Sequence, residues 1–160
     1  MYKQSVIDSA CELGYIDVLK WWKSSDLDLY YTSNSLDYAS KNGHINILDW
    51  WFNSGLELKY TTCAIDWASE EGQTDVLEWW KNSGLQLKYT ENSIDYASGN
   101  NKIKVLEWWL RSDLDFKFTK YAIILALEKS HKNIINWWKI YYLNHMPNLK
   151  NCDNIENIIY

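Results

Sequence analysis

Asp75-Val-Leu-Glu-Trp-Trp-Lys-Asn-Ser-Gly-Leu-Gln-Leu87 decides how the chain is read, because most of the chain consists of variants of it. Trp pairs stand at 21–22, 50–51, 79–80, 108–109 and 137–138, and each pair lies 29 residues after the last without insertion or deletion. Ala10, Ala39, Ala68, Ala97 and Ala126 keep the same step. A fixed period of this length marks a stacked-repeat architecture, in which each unit buries its apolar face on the next.

Within the quoted stretch, Val76, Leu77, Trp79 and Trp80 fall on one helical arc of roughly 160°. This predicts a helix B over about Asp75–Ser83, with Trp80 near the centre of the buried face and Trp79 at its edge. Ser83, repeated as Ser25, Ser54 and Ser112, is small enough to let a neighbouring helix approach. Gly84, with Gly55, suits a helix ending, and Leu85 and Leu87 tuck the return segment under the pair. Upstream, Ala64, Ile65, Trp67 and Ala68 share an arc from which Asp66 and Glu70 point away, which predicts a helix A over about Thr62–Glu71. Thr61, repeated as Thr32, Thr90 and Thr119, stands where an N-cap belongs. Gly72 ends helix A, matched by Gly14, Gly43, Asn101 and Ser130. Two helix-period arcs per repeat, and the lack of a regularly placed Asn, exclude a leucine-rich repeat.

The expectation is an all-α solenoid of about five helix-turn-helix repeats, at about 2–30, 31–59, 60–88, 89–117 and 118–143. Copies drift towards the end: Ile124 takes the place of the recurrent Asp, and Tyr141-Tyr-Leu143 that of Ser-Gly-Leu. Residues 144–160 are expected to form a tail after the array at 1–143, with Ile155, Ile158 and Ile159 able to cover the last repeat.

Composition narrows the function classes. Net charge is −5 and the pI near 5.2, which disfavours binding to phosphate backbones, so no nucleic-acid partner is expected. Cys11, Cys63 and Cys152 form a sparse, odd set without metal-ligand spacing and read as free thiols of a reducing compartment. The N-terminus lacks the apolar core of a signal peptide, and the longest wholly apolar run, Tyr121–Leu127, is too short to span a bilayer. A soluble cytoplasmic protein without membrane contact is expected, and a monomer over an oligomer. No phosphate loop, HExxH motif or isolated carboxylate pair is present, so neither enzyme activity, metal nor cofactor is expected.

Ser35-Leu-Asp-Tyr-Ala-Ser-Lys-Asn-Gly-His-Ile-Asn-Ile-Leu-Asp-Trp-Trp-Phe-Asn-Ser-Gly-Leu-Glu-Leu-Lys59 resembles an ankyrin repeat without a gap, most clearly in the Asn42-Gly-His-Ile45 turn. The resemblance covers about residues 2–143. Its Trp-Trp flavour resembles repeats found in giant DNA viruses of amoebae and some of their hosts, which implies a viral protein of the host cytoplasm with a host or viral protein as partner. Ankyrin repeats run about 33 residues, so the four missing here predict a short connection in place of the β-hairpin finger. The usual His of helix A is replaced by Asp8, Asp37, Asp66 and Asp95.

The resemblance implies a scaffold that binds a partner protein through the concave helix-A face. There the recurrent Asp, with Glu12 and Glu70 one turn on, read as an acidic stripe for a basic partner; equally, each Asp could accept hydrogen bonds from the adjacent repeat. Positions 12–13, 41–42, 70–71 and 99–100 vary between copies while core positions do not. The candidate partner-binding residues are therefore Asp8, Glu12, Asp37, Lys41, Asn42, Asp66, Glu70, Glu71, Asp95 and Asn100. Two alternatives remain: exposed Trp that stack carbohydrate or single-stranded nucleic acid, and a structural or assembly role. His44 and His131 occupy the turn position after Gly and read as structural.

Overall fold

The computed structural model describes residues 5–145 apart from Asp26 and Leu29. Ten helices form five antiparallel pairs, and no strand occurs among the described residues. The first helices of the pairs are α1 (Val6–Glu12), α3 (Asn34–Lys41), α5 (Cys63–Glu71), α7 (Asn92–Gly99) and α9 (Tyr121–Glu128). The second are α2 (Ile16–Ser24), α4 (Ile45–Asn53), α6 (Thr74–Asn82), α8 (Ile103–Arg111) and α10 (Lys132–His145). The chain is an all-α repeat solenoid, and a short link without regular secondary structure stands where a β-hairpin finger was expected to be missing. The expected tail from Met146 onwards lies outside the described residues, as does the start of the first copy.

Each helix pair turns on a left-handed residue. Gly14, Gly43 and Gly72 have φ between +74° and +89°, and Asn101 (φ 59°) and Ser130 (φ 56°) adopt the same conformation in the last two copies. Asp113 (φ 61°) repeats after α8 what Gly55 and Gly84 do after α4 and α6.

One continuous core runs through all five pairs. The second Trp of every pair is buried, while the first is half-buried except Trp21, which is exposed. The two rings of each inner pair meet edge to face at 5.1–5.2 Å. The buried indole Nε1 donates across the junction to the preceding first helix: Trp80 to Ser40 Oγ at 3.0 Å, Trp109 to Ser69 and Trp138 to Ser98 at 3.1 Å. In the first junction Cys11 Sγ takes this place, 3.2 Å from Trp51 Nε1. Tyr31, Tyr60 and Tyr89 lie 4.6–4.7 Å from Trp51, Trp80 and Trp109 and are covered from outside by Lys59, Lys88 and Lys117.

Two expectations change in detail. The recurrent Ser after helix B works through its hydroxyl as well as its size. Ser83 Oγ donates to Trp80 O at 2.7 Å and accepts from Leu85 N, and Ser54 and Ser112 do the same. Thr61 stands one place before the cap position, because its hydroxyl serves two helices at once. It accepts from Cys63 N at 3.1 Å, opening α5, and donates to a carboxylate of the preceding pair.

Neighbouring first helices pack closely, whereas neighbouring second helices stand farther apart. The array therefore bends with α1, α3, α5, α7 and α9 on its inner side.

Candidate functional site

The four recurrent Asp are interior residues, only 1–4% exposed. Each carboxylate accepts from the Thr 24 residues on, through both its backbone N–H and its hydroxyl: Asp8 from Thr32, Asp37 from Thr61, Asp66 from Thr90 and Asp95 from Thr119. Asp8 and Asp66 take a third bond from Ser35 and Ser93. Asp37 and Asp95 face Ala64 and Ala122 at that place, and burial pushes both carboxyls above the usual carboxylate range against the pull of the Thr donors. Asp8, Asp37, Asp66 and Asp95 therefore leave the set of candidate partner contacts. Unpaired, a carboxylate buried this deeply would be very costly. Paired, it holds one helix start to the previous repeat.

The remaining candidates line up along the C-terminal ends of the first helices, and most reach across a junction. Asn42 Nδ2 donates to Glu12 O at 3.0 Å, and His44 Nε2 donates to the same carbonyl at 3.0 Å. Lys41 Nζ lies 4.0 Å from Glu71 and 5.6 Å above the ring of Trp67. Asn100 Nδ2 donates to Glu70 at 3.4 Å while its Oδ1 accepts from Lys129 at 2.9 Å. Glu71 and Asn42 are exposed; Glu12, Lys41, Glu70 and Asn100 are half-buried. His131 Nε2 donates to Gly99 O at 3.1 Å, so both turn histidines tie down helix-end carbonyls.

Beside this rim runs a row of large side chains that the candidate set omitted. Tyr38, Trp67, Tyr96 and Leu125 occupy one repeat position at the middle of the first helices, with Ser9 in the first copy. Tyr38 and Trp67 stack nearly parallel, centroids 5.5 Å apart and planes 13° apart. Tyr96 is 40% exposed, and Tyr38, Trp67 and Leu125 are half-buried. Their wide angular offset from Ala64 and Ile65 was the signal available in the sequence. On a helix of the inner layer, the edge of the apolar arc emerges at the surface.

On the outer side, Trp79 Nε1 donates to Asp49 at 2.7 Å and Trp108 Nε1 to Glu78 at 2.8 Å. Hydrogen bonds from Trp108 and Asn82 hold the Glu78 carboxyl below its usual range. Trp79 and Trp108 thus spend their N–H groups on the preceding repeat, which leaves these indoles poorly placed as a base- or sugar-stacking ladder. Among the described residues no group of three or more His, Cys, Asp or Glu could hold a metal, and no helix is long and apolar enough to cross a membrane.

The family model described as ankyrin repeats (many copies) matches residues 7–55, which span α1 to α4. No curated protein matches the chain.

Proposed function

We propose that this array, whose residues 7–55 match ankyrin repeats, a kind of repeat that generally serves protein–protein interaction, binds a partner protein along its inner, first-helix face. The observation that carries this is the row Tyr38–Trp67–Tyr96. Large aromatic groups stand partly in water on the inner side, whereas the half-buried Trp79 and Trp108 of the second helices spend their N–H groups on Asp49 and Glu78. Aromatic anchors with a polar rim are the usual make-up of binding hot spots. Asn34 and Asn92 flank the row at the helix starts, and Lys41, Glu70, Glu71 and Asn100 at the helix ends.

With the four Asp inside, the rim carries both signs of charge. The partner is therefore recognised mainly by apolar or aromatic side chains docking on the row, with Glu12, Glu70 and Glu71 attracting any basic groups at its border. This activity belongs to a surface, without a reacting site. The test compares proteins captured from the native cell by the wild-type array, by a Trp67→Ala/Tyr96→Ala variant and by an outer-face control, Phe52→Ala. Loss of one binder with the inner-face variant alone, helical circular dichroism unchanged, supports the reading. A binder that survives it and is lost with Phe52→Ala overturns it.

A further inference from the structure

The outer face of the first repeat carries an apolar cluster that the inner-face reading leaves unused. Val6 (77% exposed), Trp21 (63%), Leu27 (57%) and Tyr30 (68%) crowd one end of the array around a cleft of about 670 Å³. A soluble protein seldom leaves so many large apolar groups together in water. Val6 and Trp21 occupy repeat positions that, further along, lie at a junction with the preceding pair. Val6 matches Ser35, Ala64, Ser93 and Ala122, all buried, and Trp21 matches Trp50, Trp79, Trp108 and Trp137, all half-buried. The face continues an interface the chain already makes four times.

We propose that this face receives the α9–α10 end of a second copy of the same chain, giving head-to-tail association. At the inner junctions, the place of Val6 faces the recurrent Asp 27 residues earlier, as Ser35 faces Asp8 and Ser93 faces Asp66. Carried across to a second copy, that register sets Val6 against Ile124, the one copy in which the Asp is lost. The Ser–Asp pair of two inner junctions is thus replaced on both sides by an apolar pair. In two inner copies the place of Trp21 donates to the residue 30 earlier, Trp79 to Asp49 and Trp108 to Glu78; in α10 that residue is the exposed Asn136, whose amide oxygen can accept. Several bonds are missing, because Ile124 cannot accept as the recurrent Asp does from Thr at every inner junction. Trp22 would meet Leu127 where Trp80 meets Ser40, so the junction is weaker than those within the chain. Association therefore depends on concentration, and the monomer expected from the sequence is the dilute form. Being heterologous, the contact does not close on itself.

Sedimentation velocity on the full chain tests this with Val6→Asp, Ile124→Asp and an equimolar mixture of the two. Wild-type mass is expected to rise above one chain with concentration, and each single variant to stay at one chain. The mixture is expected to stop at two, because one intact junction remains between Val6 of one variant and Ile124 of the other. Val6 is exposed, so its substitution leaves the fold intact, and circular dichroism checks Ile124→Asp. Wild-type mass that stays at one chain overturns the proposal. So does loss of association with Val6→Asp but not with Ile124→Asp, which would mean that the first repeat meets its own copy or another occupant.

Discussion

Replacing Asp66 by Ala separates a structural carboxylate from a binding one most sharply. The substitution strands three donors: the Thr90 N–H, the Thr90 hydroxyl and the Ser93 hydroxyl. Ser93 is fully buried, so its hydroxyl alone costs about 1–3 kcal/mol when unpaired. Thr90 is half-buried and recovers water in part, adding about 1 kcal/mol. Removing a carboxylate that had to be desolvated offsets some of this, leaving about 2–4 kcal/mol. Asp95→Ala strands the two Thr119 donors but no buried hydroxyl, and costs about 1 kcal/mol less. Urea unfolding monitored at 222 nm reads the difference as a shift of midpoint. A cycle with Ser93→Ala isolates the third bond: on that background Asp66→Ala should cost about 1–2 kcal/mol less than in the wild type. If Asp66→Ala costs under about 0.5 kcal/mol, as an exposed site would, and the cycle shows no coupling, the interior ladder is refuted.

Burial raises the folded-state pKa of Asp37 and Asp95 above the unfolded value of about 3.9. Their contribution is fully present below that value and lost as pH rises through the folded-state range. An Asp37→Asn/Asp95→Asn variant should therefore gain stability relative to wild type as pH rises above about 3.9, and a relative loss in urea titrations over that rise would contradict this. The Cys11 thiol is buried and pushed up to about 11, chiefly by burial, whereas Cys63 is half-exposed. In a Cys152→Ser background, Ellman's reagent at neutral pH should titrate one thiol in the native state and the second only on unfolding; two fast thiols would refute the burial. Trp51, Trp80, Trp109 and Trp138 are almost wholly buried and Trp21 is exposed. Trp21→Phe should remove more of the acrylamide-quenchable emission than Trp80→Phe, and the reverse order would refute the placement.

The period of 29 and the two helical arcs made the helix pairs legible, with α5 and α6 beginning and ending within a residue or so of the expected bounds. Helical spacing reports which residues share a side, and Trp80 against Trp79 was readable because that difference is one of angle. The fate of the Asp was not readable in the same way. A carboxylate pointing away from the Ala64–Ile65 arc can face either water or the next helix, and only the packing distance between first helices decides. The clue lay in register: Asp and Thr recur a constant 24 residues apart. The inner aromatic row escaped for a related reason, since Trp67 counts as apolar in any helical projection yet stands at the margin of a layer that the solenoid leaves open.

The Asp-to-Thr link repeats at every junction, and it has a consequence for how such a chain changes length. Excising residues 61–89 would bring Asp37 opposite Thr90, with Ser93 arriving where Ala64 had been. The spliced seam would keep its paired oxygens and even acquire a donor. Whole modules can therefore be lost or duplicated without a compensating substitution at the splice, so that selection on the genetic text can act on reach and on the docked partner while the joinery stays the same.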